Sequence, residues 1–301
     1  MANKLHAPIL QDSSDMTNTA GVSPPGGIFF GGCGWACSYS LGAAVRLRHK
    51  FQHIPHMPVG GVSAGTLVAL AYILVPDVEI VSMFNWISEI ARTHGTVGMM
   101  SVYMHVLLDH VLPIQGTDGT EYQQLNGGRF SVGITRFPCR PELVREWVSN
   151  RHVHDVVHAS MHVPIYCTYQ STILATDGTL SRAFWDISYV GKTIYISPFV
   201  AKAHIHPQKN LLGLAIIWPP SANRRQELFK QGHCDAEAYF ANSTTPIQRL
   251  RHSRGTVRSL MMWSFRNIVS LGTWGVFVIC RILRWSSNVG EMGCQMKTEF
   301  Q

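Results

Sequence analysis

The stretch His56-Met57-Pro58-Val59-Gly60-Gly61-Val62-Ser63-Ala64-Gly65-Thr66-Leu67 decides how this chain is read. At its centre, Gly61-Val62-Ser63-Ala64-Gly65 is a G-x-S-x-G sequence, the pattern of a nucleophile elbow. In such an elbow a serine sits on a strained strand-to-helix turn with its hydroxyl exposed. The three fixed positions alone would also suit an ordinary tight glycine turn. The flanks favour the elbow: a short apolar strand precedes Ser63, and Ala64 to Leu74 reads as a helix buried all round and ended by Pro76. Glycines two places before and after the serine let the backbone turn sharply and let strand and helix pass closely. The helix amino terminus then points at Ser63, where unpaired N–H groups and the dipole favour an oxyanion. Ser63 is the candidate nucleophile.

Upstream, Gly27-Ile28-Phe29-Phe30 reads as a strand running into Gly31-Gly32-Cys33-Gly34-Trp35. A helix follows through Leu41, Ala43, Ala44, Val45 and Leu47, with Arg46, Arg48 and Lys50 at its negative end. A dinucleotide fingerprint would need G-x-G-x-x-G and an acid about 20 residues on. Cys37 occupies the third glycine position, and Gln52 and His53 stand where the acid would be, so the fingerprint is incomplete. The backbone N–H groups of Gly32, Cys33 and Gly34 are instead candidates for an oxyanion hole one crossover from Ser63.

The chain has 301 residues, 46% apolar and 14% charged, enough for one large buried core plus a tail. Its net charge of +7 is uneven: residues 201–301 hold 13 Lys/Arg against 5 Asp/Glu, and residues 1–200 hold 12 against 13. The basic character belongs to the tail and suggests a polyanion or an anionic membrane face. Seven cysteines, irregularly spaced and without a CxxC pair, argue against a disulfide framework or zinc ribbon and fit a reducing compartment. Residues 1–26, rich in Ser, Thr, Asn, Pro and Gly, contain no apolar signal core and read as a disordered lead, so a cytoplasmic rather than secreted protein is expected.

In an α/β-hydrolase the serine follows several strands, whereas here one clear strand precedes it. A glycine loop some 30 residues ahead of an early G-x-S-x-G resembles the patatin-like lipases, and the resemblance extends along the chain. Phe30-Gly31-Gly32-Cys33-Gly34-Trp35, followed by Tyr39 and Gly42, is similar to the oxyanion loop of that family's adiponutrin and adipose triglyceride lipase branch. Val111-Leu112-Pro113, Asn126 to Arg136 and His158 to Tyr166 resemble its central region. Asp177-Gly178 stands where the family has Asp-Gly-Gly, ahead of Ser197-Pro198-Phe199, and Pro219-Pro220 and Lys230 to His233 echo it further on. The resemblance covers roughly residues 28 to 240 and implies a three-layer α/β/α fold with a mostly parallel sheet. It also implies lipid acyl hydrolysis by Ser63 with Asp177 as base, with no histidine, cofactor or metal. The implied substrate is a glycerolipid ester, with triacylglycerol and phospholipid both open. Cys37 and Thr179 place a Cβ where the family has glycine, so a non-catalytic lipid-surface protein is the alternative. Acyl transfer to an alcohol is a third reading.

The remaining residues fill in this scheme. Val78 to Ala91 has the period of an amphipathic helix, and Met99 to Leu108 reads as an apolar segment suited to core or to an acyl groove. Strands are expected at Phe130–Thr135 and Thr193–Ser197. His154, His158 and His162 share one helical face; without an HExxH pattern they read as a polar face rather than a metal site. Asp118, Glu121 and Asp186 read as solvated loop residues. The expected organisation is a lead at 1–26, a catalytic domain at 27–208 and an extension at 209–301.

In that extension the uncharged run Asn267–Cys280 spans 14 residues, short of the ~20 a membrane-crossing helix needs. At about 100° per residue, Arg258, Arg266, Ser270, Thr273, Arg281 and Arg284 fall in one sector of about 140°. This pattern fits a helix lying in a lipid interface, with Trp263, Trp274 and Trp285 at headgroup depth. The expected partners are a membrane or lipid-droplet surface and, with its identity open, a protein co-activator. No nucleic-acid module is visible.

Overall fold

The computed structural model describes residues 26–54, 56–114, 119–136, 140–163, 166–167, 175–177, 193–208, 211 and 214–242. The lead before residue 26, the basic tail after 242, Asp118, Thr179 and Asp186 lie outside the described residues.

Two strand-to-helix crossovers build the centre. β1 (Gly27–Phe30) leads through a 3₁₀ turn at Gly34–Ala36 into α1 (Cys37–Phe51), and β2 (Val59–Val62) turns at Ser63 into α2 (Ala64–Leu74). α3 (Asp77–His94) and α4 (Met100–Val111) come next, then the hairpin of β3 (Phe130–Arg136) and β4 (Arg140–Val144). α5 (Asn150–Met161), β5 (Ala175–Asp177), β6 (Thr193–Ile196), α6 (Leu214–Ile217) and α7 (Ala222–Asn242) complete the described chain. The six-stranded sheet runs β4-β3-β2-β1-β6, with β5 also paired to β3. β1 is parallel to β2 and β6, and β2 to β3; β4 and β5 run antiparallel to β3. This is the expected mostly parallel α/β architecture.

Every residue of β1, β2 and β6 is buried, as strands covered by helices on both faces require. The helix Asp77–His94 matches the apolar period read from the sequence, the apolar segment Met99 to Leu108 falls within the helix Met100–Val111 but for its first residue, and β3 and β6 fall on the two expected strands. β4 was not legible: Arg140 and Pro141 mark it as an edge strand, exposed at both residues. α7 lies beyond the boundary placed at residue 208, yet Leu228 and Ala236 belong to the main core. It runs parallel to α1 at close range: a Cβ on Gly42 would strike the Phe229 carbonyl, and one on Gly232 the Tyr39 carbonyl. Tyr39 seals the seam by donating to Asp235 at 2.9 Å, and Phe51 stacks edge-on against Phe240.

Candidate active site

Ser63 has φ 54 and ψ −139 and is, among the described residues, the one non-glycine with positive φ. An L-residue held there stores strain of order 1–3 kcal/mol, which only the surrounding packing can maintain. Two close contacts supply it. A Cβ on Gly65 would overlap the carbonyl oxygens of Phe30 and Gly31, and one on Gly61 would overlap Gly65 itself. The elbow is thus wedged against the end of β1, which brings the two turns together. α5 adds a clamp from the other side. Ser160, fully buried, donates to the Gly133 carbonyl at 2.7 Å and accepts the Ser63 N–H at 3.0 Å. Since its proton is committed to Gly133, Thr66 Oγ1, 3.2 Å away, is the donor of that third contact.

Gly32, Cys33, Gly34 and Ser63 line one cavity, so the structure brings the candidate nucleophile and the candidate oxyanion loop to the same space. In the loop, the N–H groups of Gly31, Ala36 and Cys37 bond the carbonyls of Ile196, Cys33 and Gly34. Gly34 has φ 48, and the Ile216 carbonyl of α6 occupies the place a Cβ would take. α6 is fastened there: Thr96 and Tyr166 both donate to the Ile217 carbonyl, at 3.1 and 2.8 Å, and Trp35 donates to Tyr166 at 2.9 Å.

Cys37 opens α1 with φ −62 and ψ −17, an ordinary helical conformation, so its Cβ causes no backbone strain. Its side chain lines the cavity, and burial together with the neighbouring Cys33 thiol pushes the Cys37 thiol well up. It stays protonated and does not compete as a nucleophile. Cys167 is engaged structurally, donating to the Met161 carbonyl and accepting from the Val163 N–H, each at 3.2 Å.

The backbone places Asp177 by register. One edge of β3 is filled by β4 from Val132 to Arg136, so β2 and β5 share the other. On that edge Val62 pairs with Gly133 and Asp177 with Ile134. β5 therefore ends where β2 turns away at Ser63, and Asp177, its last residue, stands one rung, about 3.3 Å, beyond the residue before the serine. Val62 and Asp177, 115 positions apart in sequence, thus occupy neighbouring rungs of one sheet edge.

The cavity encloses about 390 Å³, within the usual range for ligand sites, and its walls are almost wholly apolar. Met100, Met104 and Leu107 contribute to it, so the segment read as core or acyl groove lines the cavity while Met104 also belongs to the main core. α2 is not buried all round: Leu67 and Ala71 are only half-buried and face this space, because the cavity runs beside the helix.

The histidines differ from their reading as a polar face. His154 is 2% and His162 1% exposed, and His158 stacks on His105 and His162 at ring-centroid distances of 5.0 and 6.0 Å. α5 turns this face into the protein against α4, and burial holds all three below the usual histidine range, His158 at about 4. His154 Nε2 donates to the Leu112 carbonyl at 2.7 Å, fixing the neutral tautomer. Among the described residues no group of three or more His, Cys, Asp or Glu could hold a metal ion. Glu121 is likewise not simply solvated: it accepts from Asn150 at 2.8 Å, which holds its carboxyl below the usual range. Ser160, Thr66 and the packing of α6 on Gly34 escaped the sequence. A buried serine in Ala159-Ser160-Met161 was the available signal for the first.

No protein-family model matches the chain. It is 29% identical over 246 residues to the human patatin-like phospholipase domain-containing protein 4, a match covering 70% of this chain and 94% of that protein. Among solved structures it is similar to the type III effector protein ExoU, at 13% identity over 74% of this chain and a TM-score of 0.37. The chain spans 54% of ExoU's length, and a superposition this loose carries no argument. The chain is thus similar to a patatin-like phospholipase domain protein over nearly all of that relative's length.

Proposed function

We propose that this protein is a serine lipid acyl hydrolase in which Ser63 is the nucleophile, Asp177 its base and the Gly32–Gly34 loop the oxyanion hole. The observation that carries the reading is Ser63 itself, a non-glycine held at φ 54 on an elbow that opens into an apolar cavity. In the first half-reaction the Ser63 hydroxyl passes its proton to the Asp177 carboxylate as Oγ attacks the ester carbonyl. The resulting oxyanion takes hydrogen bonds from the loop N–H groups and lies before the amino terminus of α2. Collapse expels the alcohol, which leaves with the proton, and water repeats the sequence on the acyl-enzyme. A carboxylate becomes a useful proton acceptor where apolar surroundings raise its pKa. The neighbouring rungs of Asp177 and Val62 on β3 support the pairing.

The name of the human relative, a phospholipase domain protein, supports ester hydrolysis of a glycerolipid. The motif order read from the sequence favours the adiponutrin and adipose triglyceride lipase branch. Among the described residues no helix is long and apolar enough to cross a membrane. We assign the basic tail to anchoring at a lipid-droplet or endoplasmic reticulum surface, on the cytoplasmic side, where a co-activator would meet it. Flotation with anionic vesicles should weaken steeply with salt, and salt-independent binding would remove that assignment.

A fluorophosphonate label located by mass spectrometry tests the chemistry. It is expected on Ser63; Ser63→Ala should lower hydrolysis at least about 10⁴-fold, and Asp177→Asn by a comparable factor. Comparable loss of the chemical step in a folded His158→Ala or His204→Ala variant would instead favour a Ser-His arrangement.

A further inference from the structure

The cavity has a direction. Among its lining residues, Ser63, Leu67, Ala71 and Val75 follow one another at intervals of four, so a single face of α2 forms one wall from end to end. With a rise of about 1.5 Å per residue, this wall runs about 18 Å from the elbow. Of the other lining residues, Tyr103 of α4 and Ile87 of α3 pack with Trp35 of the glycine loop, while Val111 and Ile80 adjoin His110 and Glu79.

Polar groups flank the far end of this wall. Arg48 donates to the last carbonyls of α2, Ala71, Tyr72 and Val75, at 2.7 to 2.8 Å, and pairs with Asp77 at 2.7 Å. His110, next to Val111, bonds Glu79, next to Ile80, at 2.8 Å. An alkyl chain entering from Ser63 would run along this apolar wall toward polar groups whose desolvation it cannot compensate.

Resting on the hydrolase reading above, we propose that this channel is an acyl-length ruler. It accepts a single saturated acyl chain of about 14 carbons in extended form, and Ala71, Val75 and Ile80 set the limit. The length follows from an advance of about 1.25 Å per carbon, given bonds near 1.5 Å and angles near 111°. At Ala71, about 12 Å from the elbow, a larger side chain would stop the chain at about the tenth carbon.

The test measures kcat/KM of the full chain for a series of soluble esters from butyryl to stearoyl. The optimum is expected near myristoyl. Ala71→Phe should lower the myristoyl-to-butyryl ratio at least tenfold, and Val75→Ala should move the optimum to longer chains. An unchanged ratio in folded Ala71→Phe, or a loss uniform over all lengths, overturns the ruler. Should Ala71→Phe not fold, Ala71→Leu and Val75→Ala carry the same comparison. A second measurement separates the ruler from the chemistry: myristate is titrated into Ser63→Ala with and without the Ala71 change. Binding that depends on position 71 upholds the channel even if the nucleophile lies elsewhere. Binding indifferent to position 71 rejects the channel even if Ser63 is labelled.

Discussion

The two crossovers at the centre of the sheet solve one problem in two ways. Both β1 and β2 leave the sheet through a turn that needs a left-handed residue close to the start of a helix. After β1 that residue is Gly34, at φ 48, and after β2 it is Ser63, at φ 54. Glycine takes this conformation freely, while a side chain there costs about 1–2 kcal/mol. The first turn thus offers only backbone N–H groups, and the second carries a hydroxyl at a position where glycine would be cheaper. A strained serine beside an unstrained glycine loop separates the group proposed to attack from the groups proposed to hold the charge.

The two turns are coupled most tightly through Gly65, so the greatest expected effect lies there. Gly65→Ala would drive a Cβ into the carbonyls of Phe30 and Gly31. A loss of roughly 3 kcal/mol or more is expected by denaturant unfolding, together with hydrolysis. A variant near parental stability would mean that the turns are not wedged together. Ser160→Ala comes next. It removes the acceptor of the Ser63 N–H and the donor to Gly133, a loss of about 1–3 kcal/mol. Because Ser160 acts through the elbow, kcat should fall about tenfold with KM little changed. A change confined to KM would show that the clamp shapes the cavity instead.

The smallest effect concerns pH and the helix that carries the clamp. His154, His158 and His162 have folded pKa values lowered by burial, so the unfolded chain binds more protons than the folded one. Their contribution is present above the unfolded value near 6.5 and is lost as pH falls through about 6.5 toward the folded values, about 4 for His158. His204 and His233 are lowered in the same sense. Tm should drop by roughly a few degrees between pH 7 and about 4.5, and replacing His158 with Phe should shrink the drop. A slope of opposite sign would place these rings in a charged state.

Much of this was legible because local chemistry and global fold agree. Gly61, Ser63 and Gly65 announce a turn whose geometry few other residues tolerate, and the apolar period of α3 announces its own face. What stayed hidden depends on partners remote in sequence. Nothing near Ser160 says that the Ser63 N–H lies above it, and no period in Leu214–Ile217 says that a carbonyl there will occupy Gly34's missing side chain. The histidine face was misread for the same reason. Charge pattern alone cannot show that α4 covers it. Likewise the face of α2 lining the cavity carries the same apolar residues as one packed in the core.

The central claim, that strain is kept at position 63 for the hydroxyl it presents, is tested most directly by comparing thermal unfolding and hydrolysis of Ser63→Gly and Ser63→Ala. Both remove the hydroxyl, and only glycine relieves the left-handed backbone. Both variants are expected to be inactive, with Ser63→Gly the more stable by about 1 kcal/mol, roughly 2–3 °C in Tm. Equal stability of the two, or hydrolysis surviving in either folded variant, would contradict the account.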